Sequence, residues 1–257
     1  MNAYSYTEIP EILNIQRGDL LLIGSDILKL ALNVKEEGER FDPNCFIDSF
    51  LQRLGSEGTL LFPTFNFNFC KNIAYDFKNT STAMGTLPKV CLQRKDFRRT
   101  WHPIHSFCVA GHLQDKICGL THESSFGEGS TFEFLHENNG KMLIIGLPLQ
   151  GAFTYVHYVE ELEQVEYRYR KKFSAPYTDV FGKTTIPTVS MYVRDLKEGV
   201  ISDLNPLEKL LFHEKKIEET HLKGVSFKLL KLNHCYSTIV SDIRFNSAAS
   251  LFQKDQK

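Results

Sequence analysis

An amphipathic helix set between two short apolar runs constrains the fold of this chain more than any other feature. Across Pro43–Leu54, the residues Phe46, Ile47, Phe50, Leu51 and Leu54 recur at helical spacing and share one face. Asp42 is placed to cap the helix with Pro43 in the first helical position, and Gly55 and Gly58 end it. Before it, Leu20–Ile23 follows the turn pair Gly18-Asp19 and reads as a strand; after it, Thr59–Phe62 reads as the next. The same vocabulary continues with strands at Ser106–Ala110 and Met142–Ile145, a helix between them at Ser130–His136, and a helix from Thr154 carrying Val156, Tyr158, Val159 and Leu162. Beyond Tyr177 the pattern turns strand-rich, with Thr178–Phe181, a turn at Lys183-Thr184 and Ile186–Val193, then helices at Pro206–Phe212 and Tyr236–Ala248. Strands interleaved with helices predict an α/β or α+β class in a single domain over residues 1–257. The alternation is too irregular for a doubly wound nucleotide fold, and no GxGxxG occurs.

Composition narrows the functional classes. The 30 Lys and Arg balance 31 Asp and Glu, a formal net charge of −1, which argues against a dedicated nucleic-acid binder. No apolar run approaches the roughly 18 residues of a membrane helix, and the first 30 residues lack a basic-then-apolar signal pattern, so a soluble cytoplasmic protein with no membrane partner is expected. Self-association is left open. The six cysteines (45, 70, 91, 108, 118 and 235) form no CxxC pair and read as reduced core thiols, with neither zinc nor disulfide framework.

Four segments carry residues suited to chemistry. Pro63–Phe69 alternates Phe and Asn at the end of a core strand, which fits either core packing or one polar face along a cleft. Met84–Pro88 leads into Lys89, Arg94, Lys95, Arg98 and Arg99; a glycine turn feeding a helix beside cations suits phosphates, and a solvated helix face explains the charges equally well. His102 and His105 are separated by Pro103, which disfavours the helical spacing a metal pair would need, so structural histidines are expected. Finally, Thr154, His157 and Glu160 fall on one helix face, where the carboxylate can orient the imidazole as a general base requires; a surface ion pair is the alternative.

Taken in order, these segments resemble the aminoglycoside 3-N-acetyltransferase family, the antibiotic N-acetyltransferase fold. The likeness rests on Gly18-Asp19-Leu20 through Gly24-Ser25, Gly58–Thr64, Met84–Pro88, Arg99–Phe107 with Gly111, Phe126–Ser130, Leu143–Gly146 and Thr154-x-x-His157-x-x-Glu160. It covers residues 10–175, about two-thirds of the chain. The resemblance implies a central, mostly antiparallel sheet flanked by helices, and acyl transfer from acetyl-CoA or another short acyl-CoA to a sugar amine, without metal. It implies His157 as base, Glu160 as its orienting carboxylate and Thr154, or a backbone N–H near Ser25, as an oxyanion donor. It places the coenzyme along Ser25, Met84, Gly85, Thr86, Leu87, Arg99, Ser106, Phe126, Gly127 and Ser130. Residues 176–257 would shape the acceptor site, with Asp203 a candidate further carboxylate; Cys108 as a nucleophile is the minor alternative.

Departures from the family pattern bear on the acceptor. Phe153 stands where a small or polar residue is usual, which implies a changed pocket. Arg168, Arg170, Lys171 and Lys172 form a cationic run beside Tyr155, Tyr167 and Tyr169. The expected acceptor is therefore a nucleotide-linked amino sugar for surface glycan assembly, met by Asp76, Tyr155, Tyr169 and Arg170. The first alternative is an aminoglycoside, for which Glu160, Glu161, Glu163 and Glu166 would supply acids. The second is a non-catalytic binding protein that keeps the fold.

Overall fold

The structure, a computed structural model, describes residues 4–255. Strand β1 (Leu20–Ser25) leads through α1 (Leu28–Glu36) and α2 (Pro43–Leu54) to β2 (Thr59–Pro63). Next come β3 (Arg98–Arg99), β4 (Phe107–Gly111), α3 (Thr131–Glu137), β5 (Lys141–Ile145) and α4 (Val156–Leu162). The chain then forms a two-stranded ribbon of β6 (Arg168–Ser174) and β7 (Thr188–Arg194) before β8 (Ile217–Leu222), β9 (Val225–Lys231) and α5 (Leu232–Phe245). The central sheet has seven strands in the order β8-β9-β5-β1-β2-β4-β3. Its outer pairings are antiparallel, as the family resemblance implies, but β5, β1 and β2 at its centre run parallel, so the sheet is mixed.

Parallel strands require covered faces, and β1 has both covered. Leu20 and Leu22 join one apolar cluster with α3, α4 and α5, while Leu21 and Ile23 join the opposite cluster with α1 and α2. The α2 stripe buries Phe46, Ile47, Phe50 and Leu54, and the Asp42 carboxylate accepts the Asn44 amide at 2.8 Å as its cap. Because β1 is flanked by parallel strands whose connections leave in different directions, a crevice opens at the carboxyl ends of β5, β1 and β2. Two glycines shape it. A Cβ on Gly24 would lie 3.0 Å from the Ala152 Cβ, and one on Gly146 (φ +69°) would lie 2.4 Å from the Asp26 carbonyl oxygen.

Several elements differ from expectation. Strands β8 and β9 were not anticipated; joined at Gly224, they pair with each other and, through β9, with β5, so the C-terminal part builds the sheet as well as any acceptor wall. The expected strand Thr178–Phe181 shortens to Tyr177–Thr178, because the Asp179 carboxylate accepts the Phe181 and Lys183 amides and closes a turn. The C-terminal helix begins at Leu232, four residues before Tyr236. All six cysteines are free; Cys91, Cys108 and Cys235 are buried, while Cys45 is exposed and departs from the core reading. Among the described residues no helix is long and apolar enough to cross a membrane.

A histidine cluster is built into the fold. His102 and His122 stack with ring centroids 4.9 Å apart, and the His102 Nδ1 accepts the Ile104 and His105 amides at 3.3 and 3.1 Å. These are structural bonds, and no grouping of three His, Cys, Asp or Glu side chains suited to a metal occurs among the described residues. Burial, helped by His122, depresses His102 to about 3, and burial holds His105 well below the ordinary imidazole value. Both are neutral when folded but protonate near 6.5 when unfolded, so their contribution is complete above pH 6.5 and is lost as pH falls. Urea melts at pH 7.5 and 5.0 are expected to differ by about 2 kcal/mol on account of His102, with His105 acting in the same direction. In the same assay Gly146→Ala is expected to cost more than about 1 kcal/mol, since it combines a positive φ with a backbone collision.

Candidate active site

Two clefts meet at the loop entering α4. The first, about 620 Å³, occupies the crevice at the strand ends. Its walls include Ser25 from the end of β1, Met84, Gly85 and Thr86 from the turn before a short helix, and Leu147 and Thr154 after β5. Gly85 has φ +100°, and a Cβ there would lie 3.2 Å from the Ser25 carbonyl oxygen, so the turn packs backbone against backbone. The second cleft, about 500 Å³, lies between α4 and the β6–β7 ribbon and is lined by His105, Phe126, His157, Arg168, Tyr169 and Arg194, among others. Thr154 lines both.

His157 stands at this junction. Its Nδ1 lies 2.5 Å from Glu160 Oε2, one turn along α4, and the Phe126 ring meets the imidazole edge to face at 5.5 Å. Glu160 is 1% exposed and fully engaged: Arg168 Nε lies 2.8 Å from Oε2, and the Tyr167 hydroxyl donates to Oε1 at 2.9 Å. Burial pushes the Glu160 carboxyl up, but His157, Arg168 and Tyr167 outweigh it and hold it below the usual carboxylate value. Burial, then the positive charge of Arg168, keeps His157 below the ordinary imidazole value despite the opposing pull of Glu160. The ionised carboxylate holds the proton on Nδ1, so the lone pair of a neutral His157 resides on Nε2. The arrangement is a neutral imidazole base, oriented by a buried anion, at the junction of two clefts.

The remaining expected residues divide. Ser25, Met84, Gly85 and Thr86 line the first cleft, whereas Leu87 is fully buried in the core beneath it. Arg99 is turned inward: its guanidinium donates to Ser106 Oγ (3.0 Å) and to the carbonyls of Thr64 (3.0 Å) and Thr80 (2.5 Å), over the Tyr75 ring. Ser106 itself donates to the Thr64 carbonyl at 3.0 Å, so both residues brace the β2 end and line neither of these two clefts. Two of the five cations of the basic patch meet carboxylates, Arg94 pairing with Asp48 and Asp96, and Arg98 with Asp115. Ser130 caps α3, accepting the Glu133 amide at 3.2 Å and donating to the Phe126 carbonyl at 3.0 Å, while the Gly127 amide donates to Ser124 Oγ at 3.1 Å.

On the acceptor side, Tyr169 lines the second cleft, but Tyr155 is fully buried with its hydroxyl 2.7 Å from His136 Nδ1. Phe153 packs beside Tyr155 in the core and lines neither cleft. Asp76 accepts the Lys78 and Asn79 amides at 2.8 and 2.9 Å and closes its own turn. Arg170 pairs with buried Glu161 at 2.6 Å, and Glu163 pairs with Arg244 at 2.7 Å, so these acids line no cleft beside His157. Asp203 caps the Asn205 amide at 3.0 Å. Cys108 is 1% exposed and burial pushes its thiol up to about 12, unsuited to a nucleophile. His105 and Arg194 were not assigned site roles from sequence; Tyr167 and Arg168 were expected to meet the acceptor, whereas the structure places both on Glu160. Tyr167 and Arg168 follow Glu160 by seven and eight residues, but α4 ends at Leu162, so it is the turn into the ribbon and not a shared helix face that brings Arg168 to it.

A family model described as aminoglycoside 3-N-acetyltransferase matches residues 36–242. Aminoglycoside N(3)-acetyltransferase III of Serratia marcescens is 30% identical over 99 residues, which are 38% of this chain and 36% of that protein, so the match spans about a third of the curated relative's length. Among solved structures, AAC-IIIb in its binary complex with CoASH superposes with a TM-score of 0.77 at 17% identity, covering 93% of this chain and 97% of that one. Sisomicin-bound AAC-VIa superposes at 0.76 and 17% identity, covering 95% and 99%. These two establish a shared fold. The match across residues 36–242 of 257 establishes more: the chain belongs to the aminoglycoside 3-N-acetyltransferase family.

Proposed function

We propose that this chain is an acyl-CoA-dependent N-acetyltransferase acting on the amine of an amino sugar. The observation that carries the reading is the position of His157, fixed by Glu160 beside Thr154, a residue shared by the two clefts. The first cleft, with Ile27, Leu28, Met84 and Leu147 on its walls and Gly24 keeping its floor open, fits a slender, largely apolar arm such as that of coenzyme A. AAC-IIIb, which shares the fold, binds CoASH. Bound acetyl-coenzyme A supplies an activated carbonyl and a thiolate leaving group.

The protein's own groups do the rest. The His157 Nε2 lone pair takes the proton that an ammonium must lose to become a nucleophile. Glu160 keeps Nδ1–H in place and stabilises the imidazolium that forms, as Arg168 and Tyr167 keep Glu160 ionised and still. The Thr154 hydroxyl, at the shared edge, serves the carbonyl oxygen as its negative charge grows.

For the acceptor, the relatives' names favour an aminoglycoside amine over a nucleotide-linked amino sugar: the Serratia protein is an aminoglycoside N(3)-acetyltransferase and AAC-VIa binds sisomicin. The nucleotide-linked sugar of glycan assembly remains the second reading, because the cleft beside His157 presents cations and no carboxylate.

Thiol release from acetyl-CoA over a panel of aminoglycosides and amino sugars tests the activity; no turnover with any amine, together with no rise in Tm on adding coenzyme A, would overturn it. His157→Ala is expected to lower kcat by about 10²–10⁴-fold. The rate should require neutral His157, so kcat/KM falls on the acid side through a midpoint below 6.5. Glu160→Gln removes the charge that pulls this midpoint upward, so it should move to still lower pH while kcat drops.

A further inference from the structure

His102, His105, His122 and His157 form one cluster with Phe126, and three of the four imidazoles are engaged by the protein. His102 Nδ1 accepts two backbone amides, His122 Nδ1 lies 2.7 Å from the Ser124 carbonyl oxygen, and His157 Nδ1 meets Glu160. His105 is the exception: its Nδ1 is enclosed and has no hydrogen-bond partner among the described residues. A neutral imidazole carries one N–H and one lone pair, and leaving such capacity unused in the interior is costly.

In every other respect the position suits a phenyl ring. Phe65, Phe67 and Phe126 surround the His105 imidazole, with ring centroids at 4.6, 5.5 and 4.7 Å. A phenylalanine would fill this cage and strand no polar atom. The backbone carrying the ring is fixed as well. The His105 amide donates to His102 Nδ1 at 3.1 Å, and the Ile104 carbonyl accepts the Asn66 amide at 2.9 Å. His105 lines the second cleft with His157 and is absent from the lining of the first. The two imidazoles pack on the same Phe126 ring, 4.7 and 5.5 Å from its centre. In a pocket with apolar walls, the few polar groups decide which ligand fits and how it lies.

We infer that His105 is a specificity-determining contact for the acceptor: its imidazole hydrogen-bonds an oxygen on the carbon next to the reacting amine, while the amine itself faces His157. The inference rests on the acetyl-transfer reading and deepens it. Because both imidazoles flank one phenyl ring, the two groups they meet belong on neighbouring atoms of one ligand ring. Held neutral by burial, His105 does not repel the incoming ammonium. Phe67, 45% exposed on the same lining, gives the C–H face of that ring a surface to lie on. Amino sugars and aminoglycosides both carry an oxygen beside an amine, so the contact serves either acceptor.

An NMR titration of the coenzyme-A-saturated protein, carrying isotopically labelled histidine, tests this because it reads binding independently of transfer. The probes are kanamycin, glucosamine, trans-2-aminocyclohexanol and cyclohexylamine, and the resonances that vanish in His105→Phe assign the ring. The three probes with a neighbouring oxygen are expected to shift the His105 ring nitrogens. The amino alcohol should bind about fivefold tighter than cyclohexylamine, the worth of one hydrogen bond. In His105→Phe that preference should vanish while the urea midpoint stays equal or rises, whereas His105→Gln, which keeps an N–H, should retain part of it. A merely structural imidazole would give the opposite order, with Phe tolerated in binding and Gln disruptive. An unmoved His105 resonance with amine bound, a preference that survives His105→Phe, or no binding by any probe overturns the inference. A His105-dependent preference without thiol release from acetyl-CoA would instead count against the transfer reading alone.

Discussion

A buried carboxylate organises this protein. Glu160 is almost wholly removed from water, and an anion in that position is tolerable only if its oxygens are supplied with donors. Two donors, His157 from the same helix and Tyr167 from the loop after it, are joined by the countercharge of Arg168, the first residue of the ribbon. Tyr167 is in turn stacked on Phe252 near the C-terminus at a centroid separation of 4.0 Å, and Arg168 donates to Ser202 Oγ at 3.0 Å. The requirement of one anion therefore ties α4, the ribbon and the C-terminal segment together. Removing one donor would leave charge unbalanced in the interior, which is costlier than losing a surface pair.

The sheet contributes the other half of the arrangement. Its parallel centre makes a crevice at the strand ends, and the loop after β5 carries Thr154 to the edge of that crevice, with His157 in the first turn of α4 beyond it. Close backbone approaches at Gly24, Gly85 and Gly146 leave room that side chains would fill. The same loop is the boundary of the second cleft, so two ligands of different chemistry can meet at one residue without sharing a wall.

Much of this was legible in the sequence, and the failures have physical causes. The α2 stripe, its cap and the inner strands were readable because burial on both faces or on one helical face leaves a periodic mark. The His157–Glu160 pair was readable because it is local. Misplaced residues share a feature: Arg99, Ser106 and Tyr155 lie inside or beside recognisable motifs, yet their polar atoms are satisfied by Thr64, Thr80 and His136, partners that sequence cannot supply. The two runs of cations suggested free charge, but Arg94, Arg98, Arg168 and Arg170 each find a carboxylate after folding. Strands β8 and β9 escaped notice because β8 is a polar edge strand whose exposed face dilutes its pattern.

The ribbon's ion pairs have an evolutionary corollary. Arg168 and Arg170, alternate residues of one strand, grip Glu160 and Glu161, adjacent residues of α4. The wall bordering the second cleft and the helix bearing the base are thereby stapled into one mechanical unit. A substitution that reshapes the wall also tilts the imidazole, so new acceptor preferences are reached more readily by altering rim side chains such as Tyr169, which alternates to the face away from the staple, than by rebuilding the strand. Divergence within such a scaffold should accumulate at the rim while the stapled residues change together or not at all.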